Sequence, residues 1–470
     1  STSTSVLLTD NASLSSTVAL SLASLQTEGH DFELASASTD LTIKNAFALS
    51  GGETLSTQGA DLIFESSADI SPGSTLDASG GGQLEFQQGG TDNGTINAEN
   101  ATFKIGAAYA VPGTLRTNGN TTWELGNSNL DLSGGKLELG GTVTLDKVLT
   151  DNGTTFKLGE DATVTRNQGF TLGGLDLDNS TLTLGSATTD LTLDLSDCSG
   201  TCNSPIGTLA TEAADLTILG APTVISGTTI SSTGGTFTFG DGISLNGGTI
   251  SLTGSTLVLG SSFTKTGGTL TLAGTDLELL SNLSLNSDAA VTVKELRLEN
   301  KTLTLQSTSS FTVADQLMLD NTNERIIWDD NTSLALSGGL KLGTNGELAW
   351  KNPGNLSIGN IVLNGGVLKI GETSGSQTFG LTSNLTLLAD SEIYFNGGNI
   401  LNYSGAEVSV GKVLTLGGNG QLQNTPDLNL GAGGKLKLSE ISVAKVITSA
   451  DSLGLDVADN STVSSLSVAH

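Results

Sequence analysis

Residues 234–285 read GGTFTFGDGISLNGGTISLTGSTLVLGSSFTKTGGTLTLAGTDLELLSNLSL. The unit is a Gly-Gly pair followed by four residues with apolar side chains at every second place. Phe237 and Phe239, Ile250 and Leu252, Leu257 and Leu259, Leu270 and Leu272, and Leu277 and Leu279 all follow it. Alternation at period two is what a strand with one buried face requires, and the intervening Thr, Ser and Glu then point outward. Phe237, Leu257 and Leu277 lie twenty residues apart, as do Ile250 and Leu270. A short strand returning at a fixed period of this size predicts a solenoid. One coil cannot cover its own inward row, whereas stacked coils bury it continuously by pairing each strand in parallel with its equivalents. The expected fold class is all-β: a single long parallel β-solenoid, or β-helix, over residues 1–470. Each coil should hold about 20 residues and about three short strands.

Outward from that stretch the pattern persists in both directions. On the N-terminal side GGQLEF places Leu84 and Phe86 inward, TFKIG Phe103 and Ile105, TTWELG Trp123 and Leu125, GGKLELGG Leu137 and Leu139, and TFKLGE Phe156 and Leu158. Glu85, Lys104, Glu124, Glu138 and Lys157 fall at the outward places, where charge belongs. Residues 1–50 alternate more loosely, and 1–10 read as an extended N-terminal arm or a frayed first coil. Residues 196–215 lack alternation and read as a loop protruding from a corner. Beyond it Leu303 and Leu305, Phe311 and Val313, Leu340 and Leu342, and Leu436 and Leu438 continue the inward row.

The chain has 62 Gly, 6 Pro and only 4% aromatic residues, which suits a narrow core of small branched side chains. The formal net charge is −29, from 48 acidic and 19 basic residues. A nucleic-acid partner needs a basic face that displaces counterions, so none is expected. Anionic lipid is disfavoured for the same reason, and no apolar run has the length of a membrane-spanning helix. Cys198 and Cys202, in DCSGTCNSP, are close enough to form a local disulfide, which implies an oxidising compartment. His30 and His470 are remote from them, which argues against a zinc site.

Asp-Asn recurs at Asp10-Asn11, Asp92-Asn93, Asp151-Asn152, Asp178-Asn179, Asp320-Asn321, Asp330-Asn331 and Asp459-Asn460. Asn tolerates the left-handed conformation and both side chains bond nearby backbone, so these pairs read as turns. Calcium at the same corners is the competing reading, but the tandem GGxGxDxUx repeat is missing. No cofactor is therefore expected. The sequons at Asn93, Asn152, Asn179 and Asn331 fall on corners and are the candidate glycosylation sites, although a chain this rich in Asn, Ser and Thr generates sequons by composition alone. Outward Thr-x-Thr pairs, such as Thr142/Thr144, Thr181/Thr183 and Thr269/Thr271, follow from strand propensity. Polysaccharide cleavage needs carboxylates in a cleft, usually with a basic partner. Four arginines (Arg116, Arg166, Arg297 and Arg325) and two histidines supply little for that, and no catalytic residue is expected.

The GGTLTL and GGTISL units, joined by short Asn/Ser/Thr/Gly turns, resemble the repeats of autotransporter passengers and filamentous-haemagglutinin-type adhesins over about residues 80–440. That resemblance implies a right-handed parallel β-helix, secretion, and roles in adhesion or surface display. The chain departs from the first family in lacking a C-terminal membrane barrel, and from the second in lacking its N-terminal secretion domain. No functional residue carries over. The expected role is an extracellular structural protein whose partner is itself, a head-to-tail homopolymer with interface residues in Ser1–Asp10 and Asn460–His470, neither of which reads as a cap. A monomeric adhesin shaft binding a glycan or cell surface is the alternative, and a polysaccharide-acting enzyme the third reading.

Overall fold

A computed structural model describes residues 4–119, 121–125, 129–144, 149–150, 153–195, 206–306, 310–321, 324–328, 333–344, 346–350, 356–371, 378–381, 384–395, 399–403, 408–409, 412–418, 420–423, 428–430, 435–439, 441–443, 446–449, 455–458, 461–463 and 466–469. Every element among them is a strand, most of two to six residues, with Lys136–Thr144 and Thr155–Thr165 longer. The strands stack in parallel as a β-solenoid with about 21 residues per coil. None of the described residues forms a helix long and apolar enough to cross a membrane. By Cα proximity the chain divides into two compact units, Ser1–Phe237 with Gly248–Ser251, and Thr238–Gly247 with Leu252–His470.

In the first unit, between Phe32 and Asp131, each coil contributes one strand to each of three stacks, and Lys136–Thr144 and Thr155–Thr165 then run as longer single strands. Phe32–Leu34, Leu41–Ile43 and Phe47–Leu49 form one such set, and Thr54–Ser56 opens the next coil. Leu55, Leu76, Ile96, Leu115, Leu137 and Phe156 are register partners in six successive coils. The steps between them are 21, 20, 19, 22 and 19 residues, so the period read from 234–285 holds here within a few residues. All six side chains are fully buried. Burying each contributes about 1.5–3 kcal/mol, which no single coil obtains alone. Aromatic contacts also run from coil to coil across neighbouring rows: Phe47, Phe64 and Phe86 follow at 5.1 and 5.2 Å, Phe86 meets Phe103 at 6.0 Å, and Phe103 meets Trp123 at 5.5 Å. Trp123 ends that run only half-buried.

The arm expected at 1–10 is partly a strand, Ser5–Leu7, paired in parallel with Ser24–Gln26. The loop expected at 196–215 ends earlier than its composition implies. Residues 196–205, with Cys198 and Cys202, lie outside the described residues. Gly207–Ala210 is already a strand, aligned with Thr181–Leu184 and Thr228–Ser232. Its inward places hold Gly207 and Leu209, and one small residue there hides the alternation.

In the second unit the same construction runs through Leu303, Ile326, Leu348, Leu368 and Ile393, again in register. Leu257 aligns with Leu277 and then Leu296, all buried. Leu270 departs from the expected continuous core. Thr269–Ala273 is the last strand of its sheet and Val291–Val293 the first of another. Without a hydrogen-bonded neighbour on that side, Leu270 is half-exposed and lines a cleft of about 420 Å³.

Corners return the chain by tight turns with two left-handed residues. Glu28 and Gly29 have φ of 49° and 91°, closed by the His30 N–H donating to the Thr27 carbonyl at 2.9 Å. Gln58-Gly59, Asp178-Asn179 and Glu299-Asn300 repeat the arrangement. Positive φ at both central positions defines the type I′ turn. Gly59 is required twice over, since φ is +88° and a Cβ there would lie 2.8 Å from the Gly80 carbonyl oxygen of the next coil.

Leu257→Asp should therefore place an unpaired charge in a closed column and cost about 4 kcal/mol or more. Leu270→Asp, whose side chain reaches solvent through the cleft, should cost less than half as much. Denaturant titration of both variants measures this, and equal losses would contradict the burial difference.

Candidate functional site: carboxylates at the corners and on the outer faces

The residue immediately before a strand is repeatedly Asp or Asn, and its side-chain oxygen accepts a backbone N–H from the equivalent place one coil on. Asn11 Oδ1 accepts from Asp31 at 2.9 Å, and Asp31 Oδ1 from Thr54 at 2.7 Å. Asp40 accepts from Asp61 at 3.1 Å, and Asp61 from Gln83 at 2.8 Å. Asp190, Asp215 and Thr236 form a third such series at 3.0 and 2.6 Å. In the second unit Asn282 accepts from Thr302 and Asp390 from Val413, both at 2.9 Å. The local reason is that a strand's first N–H, at a corner, lacks a ladder partner, and a short acceptor one coil below reaches it. Much of the acidic composition is thus bonded to backbone.

Two buried glutamates extend this device. Glu324, 5% exposed, accepts from the backbone N–H groups of Asp320 and Asn321 at 2.9 and 3.0 Å, from Asn321 Nδ2 at 2.9 Å and from the Asn300 N–H at 3.4 Å. Burial pushes its pKa up, but the bonds from Asn321, Asp320 and Asn300 outweigh that and hold it below the usual value. Glu53 accepts from Thr27 Oγ1 at 2.6 Å, from the Ser50 N–H at 3.0 Å and from the Gly29 N–H. Each ties its own coil to the turn of the previous one.

The outer faces carry ion-pair ladders. Glu138 lies in register between Arg116 and Lys157, pairing with Arg116 at 2.7 Å and with Lys136 at 2.9 Å. Burial raises its pKa, and Lys136, Arg116 and Lys157 together bring it below the ordinary value. Lys104 meets Glu85 at 3.2 Å. In the second unit Glu347 lies between Arg325 at 3.1 Å and Lys369 at 2.6 Å. Arg297 donates to both oxygens of Glu295 and to Asp276, which lowers the Glu295 pKa and raises its own. With solvent around them such pairs each contribute about 0–1 kcal/mol, so they set register and surface pattern more than stability.

The residues singled out in the sequence do not converge. Asn93 and Asn179 are both exposed, Asn93 in a bend and Asn179 in a left-handed turn at φ 65°. Asn152 and Asn331 lie outside the described residues, as do Cys198 and Cys202. Of the Asp-Asn corners, Asp178-Asn179 is a type I′ turn, Asn11 begins an inter-coil series, and Asp320-Asn321 holds Glu324. In Asp92-Asn93 the aspartate faces the core instead. Among the described residues no group of three or more His, Cys, Asp or Glu is placed to hold a metal. The pre-strand acceptors were missed, although their signal, Asp or Asn just ahead of each alternating run, is present in DLTIKN and TDLTLDL.

Comparison with known proteins yields no match to a family model, to a curated protein or to a solved structure.

The lowered Glu324 pKa fixes a pH dependence. A carboxylate whose folded pKa is below its unfolded value stabilises above the unfolded value, and that contribution disappears as pH falls through the folded one. Glu324→Gln should lower the unfolding midpoint at pH 7 and leave it nearly unchanged at about pH 2 relative to the parent. Thermal scans at both pH values read this, and an equal deficit at both would contradict it.

Proposed function

We propose that the protein is an extracellular structural protein, the subunit of a surface filament or matrix fibre, with no catalytic role. The observation that carries this reading is the mode of coil-to-coil bonding. Coils are joined by parallel in-register pairing and, at many corners, by Asp/Asn acceptors that reach one coil onward. Such a contact is translational: one surface meets a different surface and the operation does not close. The same bonding can continue from one subunit to the next, head to tail, with the subunit's own kind as partner. The regular outer ladders also favour a role for broad faces over one for a pocket. Extracellular placement draws support from the resemblance of the GGTISL and GGTLTL strings to adhesin repeats and from the close spacing of Cys198 and Cys202. The −29 charge would hold filaments apart unless divalent cations bridge them.

The test is electron microscopy and sedimentation of the intact chain over a concentration series. Filaments that lengthen with concentration, their unit repeat matching one subunit, are the expected result. A monomer at every concentration would overturn the filament reading and leave the shaft of an adhesin in its place.

A further inference from the structure

Asp92 is completely buried, and no other carboxylate among the described residues is. It is the last residue of the strand Gly90–Asp92 and aligns with Ile70, which aligns with Leu49. Its side chain therefore occupies an inward row otherwise held by Leu and Ile. Oδ1 accepts the Gly94 N–H at 2.8 Å, and Oδ2 has no partner. The next coil sets Tyr109 beside it, fully buried, its ring 4.4 Å from Phe86 and its hydroxyl donating to the Ala68 carbonyl at 3.2 Å.

The titratable groups nearby are Tyr109, whose pKa is raised by burial and then by Asp92 and Asp69, and Asp69 itself on the preceding coil, whose carboxylate accepts the Thr91 N–H at 2.9 Å. Both are acids, so neither supplies a countercharge. The strands Gln83–Phe86 and Thr102–Ile105 turn Phe86, Phe103 and Ile105 inward, while Glu85, itself largely covered, pairs with Lys104 on the opposite face. A carboxylate in such surroundings loses its hydration without replacement, which favours the protonated form.

We propose that Asp92 is a proton-dependent lock on the coils around it: as a neutral acid it belongs to the core, and its ionisation loosens the coils from Ala68 to Gly113. Burial pushes its pKa from 3.8 to about 7, the Gly94 N–H acting in the opposite sense. With the folded pKa raised, the stabilisation is complete below the unfolded value and is lost as pH rises through about 7. The backbone makes the effect local, because the Gly113 N–H donates to the Asp92 carbonyl and the Asn93 N–H to that of Ile70.

The experiment is native-state amide exchange at Asn93 and Gly113 in the full chain, from pH 4 to pH 8, with each opening constant expressed relative to Asp92→Asn. The wild-type-to-variant ratio should rise by about tenfold per pH unit through the window between the two pKa values and level off above it, as one differential proton requires. Asp92→Leu, restoring the aliphatic row, should serve as reference equally well, and Tyr109→Phe should keep the wild-type slope. A ratio that stays flat across the range, or a slope abolished by Tyr109→Phe, would overturn the proposal.

Discussion

Everything in this structure depends on each coil landing in register above the last. Parallel pairing places Leu76 over Leu55 and under Ile96, and only that alignment closes the inward column. A slip of one residue would turn the whole row outward, since side chains alternate faces along a strand. Strand pairing alone does not prevent such slips in sequences as uniform as TLTL and TISL. The corners do: a type I′ turn sets where a strand may begin, and an Asp or Asn oxygen receives the first N–H of the coil above. Coil lengths can then vary by a few residues while the columns stay aligned.

The same constraint accounts for the chemistry of the surface. An acceptor is needed at many coil starts, and short carboxylates and amides are the side chains that reach. Asp31, Asp40, Asp61, Asp190, Asp215 and Asp390 all serve this purpose. The large negative charge is to that extent a by-product of construction, and the sparse cations are drawn to outer ladders where Glu138 and Glu347 each lie between two of them.

Alternation made the strands legible because a two-residue period with Leu and Phe inward has no competing reading. It failed where side-chain identity and position disagreed. Asp92 looked like a corner because Asp-Asn is turn chemistry, yet it is the third residue of its strand and faces inward. Lys265 likewise holds an inward place beside Leu245, buried and paired with Asp288. Leu270 carried the right pattern and still reaches solvent, because sheet continuity between coils is not encoded in any one strand. Glu53 and Glu324 gave no signal, since most of their partners are backbone N–H groups or lie in turns more than twenty residues away in chain order.

The fold depends on parallel register, and engineered disulfides measure it directly. Thr75 and Thr95 are register partners in adjacent coils, at a parallel-strand separation of about 4.8 Å that suits a disulfide. Oxidation of Thr75→Cys/Thr95→Cys should link residues 75 and 95 nearly completely, as mapped by mass spectrometry of the digested protein. Thr75→Cys/Asn97→Cys, offset by two residues and beyond bridging range, should stay reduced. Linkage of the second pair in preference to the first would contradict the register, and with it the solenoid.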